Sequence, residues 1–310
     1  MAKIAQTLYS QLEERGYKGR LVSIQHLRAL QEEIEASYGR GLFDEEFYQE
    51  RLTGFAFNPP DSLPDARSLI VVAVPQPQMR VTFTWKGKQV PLIVPPTYLH
   101  WQETDKQVED LLVEILGPQG YRVAQAALPK KLLAVHSGLG TYGRNNICYV
   151  DGMGSFHRLV ALYSDFPCQE DDWQELRMME SCQKCSACLH HCPTGAITAE
   201  RFLLQAERCL TFCNEKPGDV PFPTWIDSSW INCLVGCLHC QRVCPQNKDF
   251  LEWVEEGAEF SSEETALLLQ GVALERLPIE TLKKLQQCDL VDLLDVIPRN
   301  LGTLFDKDRL

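Results

Sequence analysis

The chain has 310 residues, 45% of them apolar, and a formal charge of −12 at pH 7. That length has room for one large domain or two moderate ones with a sizeable core. The acidity argues against a general affinity for nucleic acid, which needs a basic face for phosphates, and no apolar run approaches the roughly 20 residues of a membrane-spanning helix.

Ile4, Leu8 and Leu12 recur at helical spacing, as do Ile24, Leu27, Leu30 and Ile34. They predict two amphipathic helices broken around Gly16–Gly19. Phe55–Pro60 reads as a loop. Ser68–Pro75 is a continuous apolar, β-branched run and predicts a buried central strand. Arg80–Trp85, the turn at Lys86–Lys88, and Val90–Val94 predict a hairpin. Asp105–Leu116 reads as a helix and Tyr121–Ala126 as a strand. Leu132–Val135 leads into the glycine-rich turn Gly138–Arg144, and strands are expected at Asn146–Val150 and Leu159–Tyr163. Beyond a cysteine-rich segment, Glu263–Leu269 and Ile279–Val296 carry helical periodicity.

The cysteines carry the chemistry. Twelve of thirteen lie between Cys148 and Cys244. One motif is Cys182-x-x-Cys185-x-x-Cys188-x-x-x-Cys192-Pro193, and a second is Cys237-x-x-Cys240-x-x-x-Cys244-Pro245. In the bacterial two-cluster arrangement, three cysteines of a run wrap one [4Fe–4S] cubane and the fourth, before proline, crosses to the other. Cys182, Cys185, Cys188 and Cys244 then hold one cluster. Cys237, Cys240 and Cys192 supply three thiolates to the second, with Cys209 as the natural fourth. Paired Cys-x-x-Cys knuckles also bind zinc, but a zinc knuckle has no use for the third cysteine or the Cys-Pro step. A disulfide framework fits no better, since the cysteines stand at metal spacing and no leader segment is expected. The chain reads as soluble and cytoplasmic.

Further residues sharpen the reading. Leu63-Pro-Asp-Ala-Arg-Ser68 precedes an apolar strand. Ser137-Gly138-Leu139-Gly140-x-x-Gly143-Arg144 follows, then Gly154-Ser155-Phe156, a strand ending at Asp165, and Cys192-Pro-Thr-Gly-Ala-Ile197. Over about residues 50–250 this pattern resembles the epoxyqueuosine reductases and, more distantly, the core of reductive dehalogenases. The resemblance implies an α/β domain of nitroreductase-related fold at residues 1–165, and a ferredoxin-like double-cluster module at 166–250. A short helical segment at 251–310 completes the chain. It also implies cobalamin, with one cubane near the corrin and the other relaying electrons from an external ferredoxin- or flavodoxin-type donor. Gly138, Leu139, Gly140, Gly143 and Arg144 would line the corrin, glycine letting the main chain approach a flat ring.

The departures bear on substrate. The family's acidic proton donor stands in an Asp-Ser-Ala-Pro segment; here the stretch is Ala124-Gln-Ala-Ala-Leu-Pro129, without a carboxylate. Arg144 replaces the family's lysine, and the tRNA-binding extension of some members is missing. The expectation is a reductase of another substrate, with nucleic acid and membrane set aside as partners. An electron-transfer protein reducing a partner's corrinoid is the alternative. Tyr142, Tyr98 and His100 are the candidate proton donors, while His100, His136 and His157 are expected to be structural or to stand behind the site. Cys148 and Cys288 read as small buried hydrophobes. Cys213 and Cys233 stay open as rivals of Cys209, which is preferred because Glu-Arg-Cys209-Leu resembles the family's ligand position.

Overall fold

The computed structural model describes residues 2–306, which form two compact units, each discontinuous in sequence. Unit 1 takes the chain up to Pro75, then Trp101–Ser186 and Arg201–Leu203; unit 2 takes Gln76–His100, Ala187–Glu200 and the chain from Leu204 onward.

Unit 1 is a mixed α/β body. Its elements are α1 (Ala2–Glu14), β1 (Lys18–Ser23), α2 (Leu27–Gly39), α3 (Glu45–Arg51), β2 (Ser68–Pro75), α4 (Trp101–Leu116), β5 (Val123–Gln125), α5 (Lys130–His136), β6 (Thr141–Tyr142), β7 (Cys148–Tyr149) and β8 (His157–Ser164). Four strands make an antiparallel sheet in the order β1-β2-β8-β5. The apolar run of β2 is explained by burial on both faces. Leu69, Val71 and Ala73 pack into one core with Leu30, Leu133 and Tyr163, while Ile70, Val72 and Val74 pack into another with Leu8, Leu12, Val108 and Leu112. That is the period of two expected of a pleated strand.

The strand β1 stands where a break between two helices was expected. Its sequence, Lys-Gly-Arg-Leu-Val-Ser, has little apolar alternation, and only pairing with β2 from Lys18↔Ala73 to Ser23↔Ser68 makes it a strand. The second helix accordingly starts at Leu27, not at Ile24.

Unit 2 holds β3 (Gln78–Trp85), β4 (Lys88–Val94), α6 (Ala187–His191), α7 (Leu210–Asn214), α8 (His239–Arg242), β9 (Val254–Phe260), α9 (Ser262–Leu269), α10 (Ile279–Gln287) and α11 (Ile297–Asp306). The β3–β4 hairpin turns through Lys86 and Gly87, both at positive φ (50° and 78°), as a tight two-residue turn requires. β9 joins β3 in parallel, and Phe83 stacks on Phe260 at 5.0 Å. The hairpin thus shares a core with the far end of the chain: Met79, Val81 and Phe83 meet Leu285, Leu301 and Phe305.

Two differences from the sequence expectation lie here. β9, Val-Glu-Glu-Gly-Ala-Glu-Phe, is too acidic to read as a strand, but Ala258 and Phe260 face the core. The helical stretch expected at Ile279–Val296 stops at α10, where Asp289 turns at φ 53°, and resumes as α11. Pro298 sits in the first turn of α11, where a missing N–H is harmless. Among the described residues no helix is long and apolar enough to cross a membrane.

Candidate iron–sulfur site

In unit 2 the structure draws four of the predicted ligands into one electrostatic neighbourhood. α6 packs against α8, which carry Cys188 and Cys240 respectively. Cys209 stands at the N-terminus of α7. Burial pushes its thiol pKa up; the nearby polar groups of Thr211 and Phe212 oppose this and neighbouring Cys192 raises it again, while the Cys209 side chain makes no capping hydrogen bond to the helix. Cys237 is raised well above the ordinary thiol by burial, lowered by the His239 amide, and raised by Cys240, Cys209 and Cys233. Crowded thiols need a cation to become thiolates, and iron supplies one. Cys192, Cys209, Cys237 and Cys240, the set expected at the second cubane, are thus neighbours, although among the described residues no group of three or more His, Cys, Asp or Glu stands close enough to hold a single metal ion.

Cys213, one turn further along α7, points its sulfur 3.7 Å from the Glu207 carbonyl instead. This favours Cys209 over Cys213. Cys233 is fully buried beside Cys237.

The ligand loops of this unit are held by amides that the sequence reading passed over. Asn214 pairs with both backbone groups of Gly236: its Nδ2 donates to the carbonyl at 2.6 Å and its Oδ1 accepts from the amide at 2.9 Å. Asn300 donates to the carbonyls of Asn214 and Leu234, both at 3.0 Å. These bonds tie the segment after Cys209 to the segment before Cys237. Arg208 donates to the Thr194 carbonyl at 3.0 Å, joining the Cys192-Pro-Thr corner to Cys209.

Tyr98 and His100 also belong to unit 2. The Tyr98 hydroxyl donates to Glu215, and its ring fills the space where a side chain at Gly236 would begin. Burial first, then Glu215, raises the phenol pKa far above its ordinary value. His100, at φ 49°, donates its amide to Asp289 at 2.7 Å and sets Nδ1 3.1 Å from the same carboxylate.

Unit 1 carries Cys182 and Cys185 and the glycine-rich turn, and these are joined. The Tyr142 amide donates to the Arg177 carbonyl at 3.2 Å, and the Met179 amide donates back to Tyr142 at 2.8 Å. Arg144 donates from Nη2 to the Cys182 carbonyl at 2.9 Å and from Nε to the Cys185 carbonyl at 3.1 Å.

The turn's glycines have a reason inside the unit. A Cβ on Gly140 would lie 2.7 Å from both Cys148 Sγ and the Tyr149 carbonyl, and one on Gly143 would lie 2.5 Å from Asn145 Oδ1. The β6–β7 hairpin closes on them, so they are small because protein packs there. Leu139 and Tyr142 are buried in the same core, and burial, then Cys148 and Glu33, raises the Tyr142 phenol pKa far above its ordinary value.

His136 lies between Glu33, at 2.8 Å, and the Gln174 carbonyl, at 2.6 Å. Its ring stacks on Trp173, whose other face stacks on His26. His157 is buried, and burial pushes its pKa down to about 4. The ordinary value is near 6.5, so the unfolded chain takes up this proton before the folded chain does. The neutral imidazole's stability contribution is therefore complete above about pH 6.5 and is lost as pH falls toward 4. The loss is on the order of 3 kcal/mol. Urea unfolding of unit 1 between pH 7 and 4 is expected to show that slope, and His157→Gln to flatten it.

Near Ala124–Pro129 the fold brings Asp105 and Glu109 of α4. Asp105 takes Arg158 on both oxygens, at 2.6 and 2.8 Å, and Lys130 at 3.4 Å. Glu109 accepts from Gln125 at 2.8 Å.

Residues 181–247 match the family described as the 4Fe-4S double cluster binding domain. Over 146 residues the chain is 33% identical to the epoxyqueuosine reductase of Pseudomonas aeruginosa, covering 46% of this chain and 39% of that protein. Over 184 residues it is 29% identical to the epoxyqueuosine reductase of Leadbetterella byssophila, covering 54% and 59%. The chain thus aligns with less than two thirds of the length of these curated relatives. Among solved structures, the epoxyqueuosine reductase of Streptococcus thermophilus superposes with a TM-score of 0.67 at 20% identity, over 98% of this chain and 82% of that one. An epoxyqueuosine reductase solved with an epoxyqueuosine-modified tRNA-Tyr stem loop gives 0.70 at 21%, over 97% and 80%. The fold is therefore shared with structures of that family. One of them holds an RNA, so the exclusion of nucleic acid drawn from net charge does not stand; net charge says little about a local groove.

Proposed function

We propose that this relative of the epoxyqueuosine reductases, a double-cluster iron–sulfur protein, is a cytoplasmic cobalamin-dependent reductase. The observation that carries the reading is the neighbourhood of Cys192, Cys209, Cys237 and Cys240, in a chain whose other motif supplies Cys182, Cys185, Cys188 and Cys244. In this reading residues 166–250 pass electrons from a ferredoxin- or flavodoxin-type donor, and residues 1–165 hold the corrinoid. Bound cobalamin would supply a low-potential metal centre, and the Gly138–Arg144 segment is the part of this chain assigned to it by resemblance. Tyr98, with its hydroxyl on Glu215, and His100, on Asp289, are the proposed proton-handling pair, with Tyr142 as the third candidate.

Epoxyqueuosine in tRNA is the first substrate to test, because the relatives are named for it. The absence of a carboxylate from Ala124–Pro129 favours a second reading, in which the substrate differs or the chain reduces a partner's corrinoid. A positioned general acid contributes about 10²–10⁴-fold, so its absence is measurable. Expression in a strain lacking epoxyqueuosine reductase separates the two. Queuosine restored in the tRNA supports the first reading; unchanged epoxyqueuosine in cells that contain the cluster-loaded protein supports the second. The cofactor is tested separately by the visible spectrum of anaerobically purified protein with and without added cobalamin. No change at tens of micromolar, a weak limit, removes cobalamin from the proposal.

A further inference from the structure

The two carbonyls that Arg144 engages are those of Cys182 and Cys185 themselves. The Cys182 carbonyl already accepts from the Cys185 amide at 3.3 Å, the bond that closes the Cys-x-x-Cys turn. Arg144 therefore grips the turn at its closing bond and again at its far end. A planar guanidinium can make two such bonds from one rigid fork, whereas an ammonium is a single point charge. Arg144 is itself anchored from behind. It follows Gly143, which is fitted against Asn145 and Tyr149, and Tyr142, whose backbone is paired to Arg177 and Met179. The result is a cation fixed on the backbone of the turn that carries the first two cysteines.

We propose that Arg144 is a positioning residue of the first cluster, which sets the shape of the Cys182–Cys185 turn and raises that cluster's reduction potential. Reduction adds an electron to an anionic, thiolate-bound cluster, and a nearby fixed positive charge stabilises the reduced state more than the oxidised one. Net charge and hydrogen bonding around the ligands are among the factors that set iron–sulfur potentials, and partners behind the ligands orient them. The inference rests on the two-cluster reading and does not involve the corrinoid.

The test uses the full chain, reconstituted anaerobically without cobalamin. Iron and sulfide are counted, and both clusters are titrated potentiometrically with EPR detection. Cys209→Ala identifies which signal belongs to the second cluster. Arg144→Gln is expected to make the first cluster at least tenfold harder to reduce at a given potential, a shift of about 59 mV for one electron. The second cluster should not move. Arg144→Lys, which keeps the charge and loses the fork, is expected to fall between Arg144→Gln and the native protein. Loss of the first cubane alone in Arg144→Gln, with the second signal intact and partial recovery in Arg144→Lys, also supports the assignment. Unchanged potentials with full iron overturn it, as does a shift in the second cluster or loss of both together. Absence of iron and sulfide from the native protein would instead sink the cluster reading.

Discussion

Cys209→Ala is expected to remove about half of the iron, four of roughly eight atoms for two cubanes, together with one of the two reduced-state EPR signals. Cys213→Ser should leave both unchanged. The contrast follows from α7. Cys209 stands at the N-terminus of that helix with Cys192 and Cys237 as its neighbours. One turn on, the Cys213 sulfur is turned to the Glu207 carbonyl. Thr211→Val should give a graded result, with iron retained and the second cluster harder to reduce, because a polar group beside the Cys209 sulfur is gone. If Cys213→Ser costs the iron and Cys209→Ala does not, the ligand assignment in unit 2 is wrong.

Gly140→Val is expected to destabilise unit 1 whether or not cobalamin is present. Even a methyl group there would stand 2.7 Å from the Tyr149 carbonyl, a backbone atom that cannot rotate away. The β6–β7 hairpin must open, and Tyr142 and Cys148 lose their packing with it. Overpacking of this kind typically costs about 1–3 kcal/mol, and backbone displacement places the expected effect at the upper end. Gly39→Ala is the control: nothing lies within 4 Å of that position, so its melting temperature should stay close to native. The melting temperatures of the two variants, read by near-UV circular dichroism, decide the matter. A native-like melt in Gly140→Val, with cobalamin binding alone lost, would instead show that Gly140 is small for the sake of a ligand.

Much of the architecture was legible because the signals are local. The β2 run needs two apolar faces, and Lys86-Gly87 between two β-rich segments needs a tight turn. The spacing of the cysteines alone specifies two cubanes, since three thiolates on a short turn wrap one cluster and proline redirects the fourth. The candidate ligand list was therefore readable without coordinates. The preference for Cys209 over Cys213 came from the resemblance of Glu-Arg-Cys209-Leu to the family's ligand position, and the turn of the Cys213 sulfur toward the Glu207 carbonyl agrees with it.

What only the tertiary structure decided is of a non-local kind. β1 and β9 are polar or acidic segments that become strands because β2 and β3 offer them edges. A single sequence does not display its pairing partners, which here lie about fifty residues away for β1 and more than a hundred and seventy for β9. The glycines of the Gly138–Arg144 turn announced a close approach, and the structure assigns it to Gln174 at Gly138, to Cys148 and Tyr149 at Gly140 and to Asn145 and Tyr149 at Gly143. Arg144 was visible as a cation beside a glycine-rich turn, but its partners are two carbonyls some forty residues on. Local pattern determined which residues could carry iron; folding determined which side chains hold those residues in place, because hydrogen-bond partners distant in sequence exist only once the chain has closed on itself.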